Sequence, residues 1–177
     1  MIFTVAADRG ALNLALKDQI AALEWVQANI DSFGGDRKKV TVFGQSAGAI
    51  MTSILFLNDN IKGLARAAIF QSGSAASAVE FPAAHRQINW QNFVGGVPSC
   101  AKFANSTRTY NCLHQASTEE IFAGLKTAIA KLTEPYGFNP TIDGPHGLLP
   151  DLASKFLRSG RFSKLPFIAG TNLDEGK

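Results

Sequence analysis

Five residues, Gly44-Gln45-Ser46-Ala47-Gly48, carry the pattern Gly-x-Ser-x-Gly. The run Val40-Thr41-Val42-Phe43 before them is short and β-branched or aromatic, which predicts a buried strand. The apolar stretch from Ala49 to Leu57 predicts a helix after them. A serine on a strand-to-helix turn is the arrangement of a nucleophile elbow. Such a turn holds the serine in a strained backbone conformation with its hydroxyl above the sheet. Both glycines are expected to let strand and helix approach without a Cβ clash. The helix N-terminus beside Ser46 offers free N–H groups and a positive dipole end. The Ala47 N–H is therefore predicted to stabilise the oxyanion of a tetrahedral intermediate. The bland alternative, a Gly-Ser turn that merely caps a core helix, is weakened by the strand on one side and the helix on the other.

A serine nucleophile needs a base, and the base needs an orienting acid. Around an elbow of this kind the chain order is serine, then Asp or Glu, then His. Glu175 follows a predicted strand far downstream of Ser46, so position favours it as the acid, with Asp174 its neighbour and competitor. The histidine is expected after residue 175. His85, His114 and His146 all precede it, and each reads as a surface or loop histidine. The residues present thus amount to a nucleophile, an acid and one oxyanion donor, without the base. No Cys-x-x-Cys spacing or His/Cys cluster suggests a metal site, and the chemistry calls for no cofactor.

These groups need a scaffold. Asp18 to Ile30 reads as a helix, with Ile20, Leu23, Val26 and Ile30 recurring at helical spacing and Phe33-Gly34-Gly35-Asp36 ending it. Ala67 to Phe70 and Leu165 to Gly170 read as buried strands. A long irregular stretch runs from about Gly73 to Ser117. Ser117 and Glu120 form a capping box for a helix reaching about Leu132. A further helix is expected between Pro150 and Gly160. Strands alternating with helices argue for an α/β fold with a mostly parallel sheet. Short apolar strands without alternation suggest strands covered on both faces. The expected organisation is one partial domain, with a core at about 1–73 and 161–177 and a cap insertion at about 74–160.

The chain has 177 residues, of which 46% are hydrophobic and 18% charged, which excludes disorder by composition. Its net charge of +3 is thinly spread, with no basic stripe and interleaved aromatics, so nucleic acid is not an expected partner. No apolar run approaches the ~18 residues of a membrane span. Ile2–Ala6 reads as a short strand, not as an export signal, which would carry a basic lead and a longer apolar stretch. Cys100 and Cys112 lie in a polar segment and flank Asn105-Ser106-Thr107, an N-glycosylation acceptor pattern. Two nearby cysteines around such a pattern point to an extracellular setting. A pair of free thiols and a chance sequon is the alternative.

Beyond the pentapeptide, the stretches Asn13-Leu-Ala-Leu-Lys-Asp18-Gln19, Ala22-Leu23-Glu24-Trp25-Val26-Gln27 and Phe33-Gly34-Gly35-Asp36 resemble the type-B carboxylesterase/lipase family. That family includes cholinesterases and secreted fungal lipases, and the style here is closest to secreted fungal members. Val40 to Ala49 is similar to its elbow and Ile69-Phe70-Gln71-Ser72-Gly73-Ser74 to its next strand. Asp143-Gly144, Leu165 to Gly170 and Asn172-Leu-Asp174-Glu175-Gly176 resemble its acid-bearing region. The resemblance implies an α/β-hydrolase fold, present in part, and a carboxylic ester hydrolase working through a serine acyl-enzyme. It assigns Ser46 as nucleophile, Ala47 as oxyanion-hole donor and Glu175, against Asp174, as the acid. Ser72 becomes a buried serine supporting the triad. It also implies a disulfide between Cys100 and Cys112, whose short loop would stabilise by roughly 3 kcal/mol.

Gln45 stands where many members have Glu, and Arg37 where many have Pro. The family's glycine-rich oxyanion loop is expected upstream of this stretch and its histidine downstream, so the chain reads as an internal fragment. The implied partners are a small-molecule or lipid ester and, transiently, a lipid interface; the implied location is extracellular. Two rival readings are a non-catalytic, cholinesterase-like interaction protein, a class that commonly lacks the nucleophile, and an inactive truncated product.

Overall fold

The apolar runs predicted as strands do pair with one another. In this computed structural model, which describes residues 10–77, 81–133 and 136–175, β1 (Thr41–Gln45), β2 (Ala67–Gln71) and β3 (Phe167–Gly170) form a parallel sheet in the order β1-β2-β3. The strand expected at Ile2–Ala6 lies outside the described residues. The register aligns Gln45 with Gln71 and Gln71 with Gly170, so all three strands end level. Parallel neighbours need crossover connections. Helix α1 (Leu14–Asn29) precedes β1, α2 (Ala47–Leu55) links β1 to β2, and the described residues between β2 and β3 carry four more α-helices.

The chain divides into two compact units, one holding residues 13–77 and 142–175 and the other 10–12 and 81–141 among those described. Of the stretch expected as an insertion, about 74–160, residues 81–141 fall in the second unit, and 74–77 and 142–160 fall in the unit that holds the sheet. There Asp143 accepts the Leu148 and Leu149 N–H groups at 3.0 and 2.8 Å and the Asn13 side-chain amide at 2.8 Å.

The sheet unit is built on one apolar core. Leu16 of α1, Ala49, Ile54 and Leu55 of α2, Ala68 and Phe70 of β2, and Ala153 and Phe156 of α6 (Ala153–Ser159) are buried together with Ile61 and Leu149. Phe56 meets Phe70 edge-on at 5.7 Å between ring centroids. Ser163 closes the rim, donating its N–H to Phe56 O at 2.8 Å and its hydroxyl to Asn58 O at 2.9 Å. Gly160 ends α6 at φ 68°, a left-handed conformation that favours glycine.

Only β2 is buried as predicted. β1 and β3 are largely exposed, with Phe43 at 70% and Ile168 at 68% of full exposure. Their sequences are those of covered strands, but among the described residues each has a neighbour on one edge only.

The other unit holds α3 (Gln87–Gly95), α4 (Thr109–Leu113) and α5 (Thr118–Ala130). Two of these lie in the stretch expected to be irregular. In α3 the buried positions are polar Asn89 and apolar Val94, while Ile88 faces out, so the apolar period is scrambled. Asn89 is satisfied by donating to Gly137 O at 3.0 Å. Helix α5 lies close on the preceding segment: a Cβ on Gly124 would sit 2.7 Å from Phe93 O, and one on Gly96 would sit 2.4 Å from Thr127. Ser117 caps α5 as predicted, with its hydroxyl accepting from Glu120 N–H and the Glu120 carboxylate accepting from Ser117 N–H. Cys100 and Cys112 are bonded, with Cα atoms 5.7 Å apart, and Cys100 packs with Val94 and Val97 into a small core.

Candidate active site

Ser46 follows β1 directly and is the N-cap of α2, at φ 53° and ψ −119°. Its N–H donates to Gln71 O at 2.9 Å, and its carbonyl accepts the Ile50 N–H at 3.0 Å. The backbone is therefore held from the neighbouring strand and from the helix, which lets a non-glycine residue keep a positive φ. Ser46 is exposed and its hydroxyl has no hydrogen-bond partner among the described residues. Ala47 supplies the first amide of the helix, an N–H with no intrahelical acceptor and near the positive end of the dipole.

The glycines around the elbow divide the work differently from the sequence expectation. A Cβ on Gly44 would lie 2.3 Å from the Gly48 carbonyl carbon and 2.8 Å from Ala49 N, so the strand-to-helix approach does require glycine there. A Cβ on Gly48 would meet nothing within 4 Å. The second close approach is made by Gly73, whose Cβ would sit 2.6 Å from the Ser46 carbonyl oxygen and 3.3 Å from the Ala49 Cβ. Sequence reasoning gave Gly73 no role. Its only signal was a glycine two residues beyond a strand.

The same end of the sheet holds Glu175. Ser72 follows β2 at φ 57° and donates its N–H to Gly170 O at 2.8 Å, so it is pinned to β3 much as Ser46 is pinned to β2. Its hydroxyl donates to Glu175 Oε1. The Asn172 N–H donates to the same oxygen at 3.2 Å. These two donors, the Ser72 hydroxyl first, hold the Glu175 carboxyl below its ordinary pKa. Glu175 remains solvent-exposed, so this ordering comes from directed hydrogen bonds and not from burial. Ser46, Ser72 and the 171–175 turn thus leave adjacent strands at one level, where α/β sheets characteristically place reacting groups.

None of the histidines bonds to Ser46 or Glu175 among the described residues: His85 stacks on Phe81 at 4.7 Å, His114 caps the end of α4, and His146 is exposed in the 143–149 loop. No group of three or more His, Cys, Asp or Glu among the described residues is arranged to hold a metal. No helix among them is long and apolar enough to cross a membrane. Asn105 and the disulfide belong to the helical unit. An apolar cavity of about 200 Å³ lies among Phe56, Phe70, Ala75, Leu157, Phe162 and Phe167, without Ser46 or Glu175 in its lining.

The profile of the carboxylesterase family matches residues 3–177. The chain is 35% identical over 178 residues to lipase 2 of Geotrichum candidum, an alignment covering 94% of this chain and 31% of that protein. It is 35% identical over 169 residues to the cholinesterase of Mus musculus, covering 93% and 27%. With neuroligin-3 of Mus musculus it shares 33% over 164 residues, covering 93% and 19%. The chain spans less than a third of the length of these relatives.

Proposed function

The chain belongs to the carboxylesterase family, and on that premise we propose that it is the nucleophile-bearing part of a carboxylic ester hydrolase acting through Ser46. The observation that carries this reading is the strained, doubly anchored Ser46 at the end of the sheet where Ser72 also orders the Glu175 carboxylate. In this reading Ser46 Oγ attacks the ester carbonyl as a histidine takes its proton. Glu175 orients that histidine and stabilises the imidazolium. The Ala47 N–H binds the developing oxyanion. The alcohol leaves, protonated by the imidazolium, and water then attacks the acyl-enzyme by the same route in reverse. His85, His114 and His146 bond to neither partner among the described residues, so none of them is assigned as the base. The substrate class is a small-molecule or lipid ester, the lipid case implying transient contact with an interface. The setting is extracellular, which the disulfide favours.

Labelling with a fluorophosphonate followed by peptide mass mapping tests this. In a protein that contains residues 1–177 within a full family-length chain, one adduct is expected, on Ser46, together with hydrolysis of p-nitrophenyl esters that is lost in Ser46→Ala. An active protein with its adduct elsewhere overturns the assignment. Residues 1–177 alone are expected to hydrolyse no faster than their own Ser46→Ala variant. The similarity to neuroligin-3 keeps an interaction protein as the second reading. Absence of both adduct and turnover in the full-length protein would favour it.

A further inference from the structure

The loop between the bonded cysteines holds a group that ester chemistry does not use. Asn105, followed by Ser106 and Thr107, sits on an exposed turn between the 3₁₀ turn Ala101–Phe103 and α4. The turn is well fixed. Ser106 N–H donates to Phe103 O at 2.9 Å, and the buried Thr109 hydroxyl donates to Ser106 O at 2.7 Å and to Phe103 O. Arg108 N–H donates to the Ser106 hydroxyl at 3.2 Å. The Cys100–Cys112 bond closes the loop outside these contacts.

Within this frame the acceptor amide is held by one end. Gln91 of α3 donates its side-chain N–H to Asn105 Oδ1 at 2.6 Å. Asn105 Nδ2 has no hydrogen-bond partner among the described residues, and the exposed Thr107 hydroxyl has none either. We propose that Asn105 is an N-glycosylation site and that the folded, disulfide-closed loop carries the glycan without rearrangement. The transfer forms a bond from Asn105 Nδ2 to the sugar anomeric carbon. It breaks that carbon's bond to the diphosphate of a lipid-linked oligosaccharide, which leaves with the bonding pair, and one amide proton passes to the transferase's base. The product is still a neutral amide. Its carbonyl oxygen is unchanged, so the bond from Gln91 survives, and only a solvent-facing N–H is spent. Both modifications of the loop belong to one oxidising secretory compartment. The proposal does not depend on the hydrolase reading.

The test expresses residues 1–177 behind a cleavable secretory leader in yeast. Free thiols are alkylated without reduction in both soluble and detergent-extracted fractions, and peptides are mapped after peptide N-glycosidase in ¹⁸O water. The expected result is Asn105 released as ¹⁸O-labelled aspartate from molecules whose Cys100 and Cys112 are not alkylated. The label should persist in Ser106→Ala and disappear in Asn105→Gln and Thr107→Ala. An unmodified Asn105 in disulfide-bonded molecules overturns the proposal. So does a glycan confined to molecules with alkylated cysteines, because the closed loop would then exclude it.

Discussion

Ser46 at φ 53° pays a conformational cost of about 1–3 kcal/mol that its neighbours must offset. Three contacts do so, the bond to Gln71 O, the bond from the Ile50 N–H and the bare face of Gly73 against its carbonyl. Gly73→Ala forces the elbow to shift and is expected to lower stability by about 1–3 kcal/mol, read as a lower urea midpoint. Gly48→Ala, with open space at its Cβ and a helical backbone that favours alanine, is expected to leave the midpoint unchanged or raise it. Equal losses from both would show that Gly73 has no special contact. Glu175 gives a second test. Its folded pKa lies below the ordinary value, so its contribution to stability is complete above the unfolded glutamate pKa of ~4.3 and fades as pH falls through the depressed folded value. Removing the Ser72 hydroxyl in Ser72→Ala should move the Glu175 titration upward, toward the ordinary range. Carboxyl-carbon NMR checks this, and an unmoved midpoint would assign the depression to the Asn172 N–H alone.

At the scale of elements, α5 is secured at its N-terminus by a capping box. Ser117 and Glu120 satisfy each other's backbone amides, and Glu120 also accepts the Ser99 N–H at 3.0 Å, which joins the cap to the residue before Cys100. Ser117→Ala should cost about 1 kcal/mol, visible in thermal unfolding. Ser117→Asp, which keeps an acceptor at the cap, should recover most of it. Helix α3 is secured differently. Its buried Asn89 depends on Gly137 O, more than forty residues away in sequence. That is why α3 was illegible while α5 announced itself: a capping box lies within four residues, whereas the partner that makes Asn89 an interior residue does not.

For the molecule as a whole, the decisive feature is an incompletely covered sheet. Phe43 on β1 and Phe167 and Ile168 on β3 are each more than half exposed, and both outer edges are unpaired among the described residues. Exposed apolar edge strands template association. Residues 1–177 alone are expected to self-associate. Light scattering at rising concentration should report it, and Phe43→Lys combined with Ile168→Lys should suppress it. The helical unit has its own staple. Replacing Cys100 and Cys112 together by serine should cost roughly 3 kcal/mol on the loop-entropy argument, measured as the shift in unfolding midpoint against the oxidised protein.

What the sequence determined by itself was whatever depends on neighbours a few residues apart. The strand–turn–helix around Ser46, the cap at Ser117, the stop at Gly160 and the spacing of the two cysteines were legible for that reason. Position narrowed the acid to Glu175 and Asp174, and only the resemblance chose between them. The tertiary structure decided the rest. Ser72 and Glu175 are 103 residues apart and meet because β2 and β3 are adjacent and end level. Gly73 matters because β2 runs beside β1, which no local pattern encodes. Likewise the apolar character of β1 and β3 specified strands, but whether a strand is covered depends on what lies next to it in space.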